Sequence, residues 1–320
     1  MNPQILELLV WASVLLICGY LFPIIKNKKA ARIFGWLLVL ISVFVSIQIT
    51  KNNSPLYRML IITTLQLFSM KLMLMIETYQ SKPRLNFVQW ICFAAGWFGM
   101  RPQLFETLIA KPLNESGKIF IKGLSRIVIG VYLLFVSKWI YQPSFVFQTL
   151  SSLLLLIGLS FILHFGILNL STALWRFLGV NVKELFQSPY KSKSLKEFWG
   201  RRWNIAFSEM TALIVYKPVK KIFGNRTGLI AAFLLSGLLH EVAISCPVNS
   251  GYGLPFAYFV IHALVMNVED LSAIKKITQH KILSHVWVFF WLLVPLPLLF
   301  HHNFMLEVIV PLRDLIISLF

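Results

Sequence analysis

Acidic side chains are scarce in this chain: 12 Asp and Glu stand against 30 Lys and Arg in 320 residues, a formal charge of +18. The cations form no long basic tract. They sit in short clusters between apolar runs, a pattern that argues against a nucleic-acid partner and leaves membrane topology and contact with anionic head groups as their work. Cysteine is also sparse. Cys18, Cys92 and Cys246 are widely spaced with no C-x-x-C pair, so neither a disulfide framework nor a zinc site is indicated, and they read as small core residues. Alternating strands of about ten residues are missing, which excludes a transmembrane barrel. There is no internal repeat and no long linker, so residues 1–320 read as a single domain.

What is present is apolar. Hydrophobic residues make up 58% of the chain, charged residues 13%, and the mean hydropathy is +0.74, outside the range of soluble domains. The chain reads as an all-α polytopic membrane protein. Runs near 5–25, 33–49 and 56–76 are the first candidate spans. Lys26, Lys28, Lys29 and Arg32 belong in the cytoplasm under the positive-inside rule, which places the N-terminus outside and Lys82 and Arg84 inside. The first run lacks the basic start and cleavage site of a secretory signal and is read as retained. The run 86–99 is too short to cross and reads as interfacial or re-entrant. Runs at 127–141 and 145–168 pair around a Gln142–Pro143 turn, and 228–246, 251–268, 284–300 and 304–320 complete about nine spans. The expected membrane is a bacterial inner membrane or the endoplasmic reticulum.

Between these runs lies "SLKEFWGRRWN", Ser194 to Asn204, within a basic stretch from Arg176 to Arg202. Ser194 and Glu197 have capping-box spacing, so a helix is expected from Leu195, ending near Lys217–Pro218. On it Gly200, Asn204, Ser208 and Thr211 or Ala212 would form one polar stripe leading into an apolar segment. Cations before it and after it (Lys217, Lys220, Lys221, Arg226) argue for a dip into the bilayer and a return. Trp199 and Trp203 fit an interfacial belt and Arg201 and Arg202 fit head-group phosphates. Asn204 has no role in a belt and keeps a substrate-binding reading open.

The second feature is "FLLSGLLHEV", Phe233 to Val242. His240 falls roughly 18 Å beyond the start of its apolar run, near the bilayer middle, where ionisable groups are rare and usually functional. Ser236, Gly237 and Ala243 leave space on its face. An imidazole there would be neutral, the form that accepts a proton, although a histidine hydrogen-bonded between helices is an equal reading. Glu241, about 100° away around the helix, is a candidate for an orienting or lining role. The metalloprotease motif is excluded because "HEVAI" lacks the second histidine. His164 and His262 lie in apolar runs without polar company and read as packing or cavity histidines, and no spacing favours a metal site.

The Phe-Trp-Gly-Arg-Arg-Trp-Asn segment, the Tyr-x-Pro step in "VYKPVKK" and the Ser-Gly-x-x-His-Glu of the apolar helix occur in this order within about 50 residues. At these residues, 194–246, the chain resembles the wax synthase branch of the membrane-bound O-acyltransferase superfamily. The resemblance implies helices around an intramembrane tunnel, His240 as catalytic base and Asn204 as its polar companion, with Trp199, Arg201, Arg202, Trp203, Ser236 and Glu241 contacting substrate. It further implies acyl-CoA as co-substrate, no other cofactor, and a long-chain alcohol or another lipid hydroxyl, such as a sterol or diacylglycerol, as acceptor. Membrane lipids, and no nucleic acid, are the remaining expected partners. Ser236 is the one nucleophile candidate by spacing, and direct transfer is the simpler scheme. The rival class is a lipid or ion transporter, for which His240, His164 and Glu209 would mark a polar path.

Overall fold

The computed structural model describes residues 3–79, 85–142 and 144–318. Lys82, Arg84 and Pro143, which the topology reading used, lie outside the described residues. Among the described residues the regular structure is helical throughout. Seven stretches of these described residues are long and apolar enough to cross a membrane: Pro3–Ile24, Lys28–Thr50, Pro55–Thr78, Ser116–Ile140, Val146–Phe177, Ile205–Val248 and Lys281–Leu299. The protein is an integral, multi-pass, all-α membrane protein.

The chain falls into two compact units, residues 1–103 with 188–304, and residues 104–187 with 305–320. The first unit opens with α1 (Pro3–Leu21), α2 (Lys28–Thr50), α3 (Pro55–Thr78) and α4 (Phe87–Gly96). In α2 the buried residues are Ala31, Gly35, Val39, Ser42, Ser46 and Thr50, a stripe of mostly small side chains three or four apart. Such a stripe lets helices approach closely where lipid supplies no hydrophobic drive. A methyl added at Gly35 would meet Met73 and Ile76 of α3 at 2.6 and 2.8 Å. Arg32 joins the same two helices through Glu77, with Nη2 to Oε2 at 2.7 Å.

α4 has 10 residues, about 15 Å of helix, half of what a crossing needs. Its start is fixed by a capping box between Asn86 and Gln89. Its end is fixed by Lys71 of α3, fully buried, whose Nζ donates to the Phe93 and Trp97 carbonyls and lies 4.2 Å from the centre of the Phe93 ring. A cation on the last carbonyls of a helix meets both their unpaired lone pairs and the negative end of its dipole.

The second unit begins with α5 (Ser116–Ile140), α6 (Phe145–Ser160) and α7 (Leu168–Phe177), the last two joined by a π-helical turn over Phe161–Ile167. Gly130 and Gly158 let α5 and α6 approach until a methyl on either would sit 2.7 or 3.0 Å from the other's carbonyl oxygen. Ser137 and Ser151, both buried, each donate to the other's carbonyl, at 2.8 and 2.9 Å. His164 bonds Ser160 Oγ at 3.0 Å and packs on Phe186, in keeping with a packing histidine.

The first unit resumes with α8 (Leu195–Glu197), α9 (Ile205–Thr211), α10 (Lys217–His240), α11 (Cys246–Val248), α12 (Leu254–Val268), α13 (Ser272–Gln279), α14 (Lys281–Leu293), α15 (Leu296–Leu299) and α16 (His302–Phe304). α17 (Val310–Ser318) belongs to the second unit. The run 251–268 is thus a helix of only 15 residues, and 304–320 is divided by a π turn over Met305–Ile309 and carries buried Arg313, bonded to Ser152 Oγ at 3.2 Å. Seven long stretches replace the nine expected. The reason is that hydropathy alone does not register where a helix is cut.

Candidate active site

The motif helix starts where its sequence says. Ser194 Oγ accepts the Glu197 N–H at 3.0 Å, while the Glu197 carboxylate turns back to the Lys193 N–H at 2.8 Å and to Arg202 Nη2 at 2.6 Å. Burial alone would raise the Glu197 carboxyl, but these donors hold it below its ordinary value. A second carboxylate anchors the same turn from far along the chain. Glu269, just past α12, accepts from the Leu195 N–H at 2.7 Å, the Lys196 N–H at 3.1 Å and the Trp287 indole at 3.1 Å. Burial pushes its carboxyl up, against the pull of those three donors. Sequence reasoning missed Glu269. Its signal was an acidic residue placed directly behind an apolar run.

The expected single helix from Leu195 to Lys217 is not what forms. It widens into a π turn over Phe198–Arg202 and breaks at Trp203–Asn204, where Asn204 adopts a left-handed conformation with φ 41°. Asparagine tolerates that region better than other non-glycine residues. The proposed stripe of Gly200, Asn204, Ser208 and Thr211 is therefore not a continuous face. A new helix starts at Ile205, capped by Asn204 Oδ1 accepting the Phe207 N–H at 3.3 Å. Nor does Lys217–Pro218 end it: Pro218 sits in the first turn of α10, where no amide is required, and the chain reverses at Gly224, φ 84°. Gly228 then packs over Tyr216 and Lys220, making a helical hairpin of Ile205–Val248.

The return arm carries His240 about 24 Å from the Gly224 turn. Its Nδ1 lies 2.7 Å from the Ser236 carbonyl oxygen. A carbonyl only accepts, so Nδ1 carries the proton and Nε2 presents its lone pair, with no hydrogen-bond partner among the described residues. Phe259 lies against the imidazole with ring centres 4.2 Å apart, and Phe207, three residues after Asn204, meets it edge-on at 5.5 Å. Phe207 is the link between Asn204 and His240. The Asn204 amide, its oxygen used as a cap, keeps its Nδ2–H donors unpaired among the described residues.

The remaining sequence candidates divide. Trp199 turns into the fold: its indole N–H donates to His262 Nδ1 at 2.9 Å, and its ring packs on Phe259 and Phe233. His262 passes its own Nε2–H to the Trp291 carbonyl at 2.9 Å, so both its ring nitrogens are used and its role is packing. Trp203 stacks on Phe198 at 5.5 Å. Arg202 is held by Glu197, whereas Arg201 is exposed. The Ser236 hydroxyl bonds the Ala232 carbonyl at 2.8 Å, turned into its own helix. Glu241 reaches across to the start of α12, where Oε1 accepts the Gly253 and Phe256 N–H groups, both at 2.9 Å, and so fixes the helix that carries Phe259. Arg101 bonds Glu209 at 2.7 Å and ties the segment after α4 to α9.

Residues 182–261 match the model of the membrane bound O-acyl transferase family. Over those residues the chain is similar to that family. It is 32% identical over 114 residues to a long-chain-alcohol O-fatty-acyltransferase of Simmondsia chinensis, covering 33% of this chain and 32% of that protein. It is 30% identical over 172 residues to the probable long-chain-alcohol O-fatty-acyltransferase 1 of Arabidopsis thaliana, 50% of this chain and 48% of that protein. With the probable long-chain-alcohol O-fatty-acyltransferase 9 of the same plant it shares 25% over 255 residues, 73% and 70% of the two chains. The matched stretches thus span from a third to a half of the first two relatives' length. The matched segment contains both halves of the hairpin, Asn204, His240 and Phe259.

Proposed function

We propose that the protein transfers an acyl chain from acyl-CoA to a long-chain alcohol, forming a wax ester. The observation that carries this reading is the His240 ring: a neutral imidazole oriented by its own helix, walled by Phe207 and Phe259, with a free Nε2 inside an apolar segment. The names of the relatives supply the acceptor class.

In this reading the alcohol donates its hydroxyl proton to His240 Nε2 as its oxygen attacks the thioester carbonyl carbon. The Asn204 amide hydrogen-bonds the carbonyl oxygen while negative charge develops on it. The C–S bond then breaks, and the CoA thiolate recovers the proton from His240. Atoms and charge balance without a covalent enzyme intermediate or a further cofactor, and the Ser236 hydroxyl, already bonded, is not needed. The acyl chain lies in an intramembrane tunnel, Arg201 takes the CoA phosphates, and Trp199, Trp203, Arg202 and Glu241 hold the frame. The basic motif faces the cytoplasm and the N-terminus lies on the other side.

The test is ester formation by purified protein from labelled palmitoyl-CoA with hexadecanol, cholesterol or diacylglycerol offered separately. Hexadecanol is expected to be esterified fastest. A faster sterol or diacylglycerol reaction reassigns the acceptor, and no CoA release with any acceptor returns the transporter reading. Two substitutions isolate the Asn204 amide. Asn204→Asp keeps the capping oxygen and loses the donors; Asn204→Gly keeps the positive φ and loses the whole side chain. Both are expected to lower kcat about 10²- to 10³-fold, as loss of one oxyanion donor does, with KM for acyl-CoA little changed.

A further inference from the structure

The tip of the hairpin has chemistry that acyl transfer does not use. Around the Gly224 turn, residues 220–227 are all exposed, including Ile222 at 73% and Phe223 at 67% of their surface. Lys217, Lys220, Lys221 and Arg226 surround these two side chains, also exposed, and no acidic residue occurs between Glu209 and Glu241. None of the four cations makes an ion pair among the described residues, and Lys220 instead lies 5.6 Å from the centre of the Tyr216 ring. The turn is held in shape: Tyr216 Oη donates to Asn225 Oδ1 at 3.0 Å, and Gly228 allows the arms to touch.

The tip sits at the motif's end of the unit. Lys196 bonds Asp270 at 2.6 Å, and the Asp270 carboxyl is held down by that bond and by Lys275 and Arg226 nearby. The same end of the chain is therefore rich in cations, with a convex knob carrying two large apolar side chains among them. A free phosphate ligand has no use for exposed isoleucine and phenylalanine side chains on a protruding turn. A bilayer interface takes both: the apolar side chains enter the acyl boundary while the lysine and arginine stems extend their charges to the phosphate level.

We infer that the 217–227 tip is a recognition element for anionic phospholipid, inserting Ile222 and Phe223 between head groups gathered by Lys217, Lys220, Lys221 and Arg226. This rests on the chain's integral-membrane character and not on the acyl-transfer reading. Each cation near an anionic leaflet adds about 1 kcal/mol, a factor of roughly five, so the preference for anionic over zwitterionic lipid is expected to be large.

The experiment uses the full chain in nanodiscs containing trace photoactivatable phosphatidylserine or phosphatidylcholine, with crosslinked peptides located by mass spectrometry. Peptides covering 217–227 are expected to carry at least fivefold more phosphatidylserine than phosphatidylcholine label. The triple variant Lys220→Gln, Lys221→Gln, Arg226→Gln is expected to bring the two to parity. The pair Ile222→Ser and Phe223→Ser is expected to lower labelling by both lipids at the tip. Equal labelling of the wild-type tip by the two lipids, or no label there, overturns the inference. So does loss of the tip label on adding millimolar CoA, which would make these cations a free-phosphate site. Size-exclusion elution of each variant as the wild-type particle confirms that the exposed changes leave the fold intact, and none of these readouts depends on catalysis.

Discussion

His240→Ala is expected to abolish ester formation, lowering kcat by about 10³-fold or more, while the variant elutes and unfolds as wild type does. General-base catalysis is worth about 10²- to 10⁴-fold, and this chain supplies no substitute: the Ser236 hydroxyl is turned to Ala232, and His262 has both nitrogens occupied. His240→Gln sharpens the test, since its side-chain amide fills similar space without a basic lone pair. Equal inactivity of the alanine and glutamine variants identifies proton transfer as the missing function. If glutamine restores activity, the imidazole serves packing alone. The same pair tested with Phe259→Leu separates base from wall: the leucine variant keeps the base and removes the ring resting on it, so a loss of about tenfold with an altered pH profile marks Phe259 as a positioning residue.

The second large effect is on stability. Glu269→Ala leaves three donors without an acceptor, the Leu195 and Lys196 amides and the Trp287 indole, in a place where Leu195 is fully buried. At about 1–3 kcal/mol for the orphaned buried Leu195 amide, with smaller losses at the part-buried Lys196 and Trp287 donors, the expected loss is ~2 kcal/mol or more, measured as a fall of several degrees in the thermal unfolding midpoint in detergent. Glu269→Gln retains one acceptor oxygen and is expected to recover part of it. Because Glu269 pins the first turn of the motif, the surviving folded fraction of the alanine variant should also show a raised KM for acyl-CoA. A variant with wild-type melting would show that Ser194 and Glu197 suffice to start the helix.

Much of this arrangement was legible in the sequence because it depends on near neighbours. The Ser194 cap and the Asn86 and Gln89 box of the short α4 are both set within three positions, whereas the space beside Gly237 is filled by Phe256 from α12. What was not legible depends on distant partners. The Trp199 indole N–H donates to His262, 63 positions away, a partner that its own neighbours do not reveal. Glu269 acts 74 positions from Leu195. The break at Asn204 was missed for a different reason: capping box and apolar pattern both favour helix, and only the left-handed tolerance of asparagine hinted otherwise. Lys71 carried the plainest overlooked signal, one lysine within an apolar run, which at membrane depth calls for a named partner.

That lysine also bears on how the chain is made. The carbonyls that receive it belong to residues 22 and 26 positions later, so during synthesis Lys71 emerges from the ribosome before its acceptors do. An unsatisfied lysine at a helix centre costs about 2.5–3.5 kcal/mol on insertion, and its stem can reach toward the nearer membrane face only while that face stays open. α3 and α4 are therefore expected to settle in the bilayer together, the short helix closing over the lysine that its carbonyls satisfy.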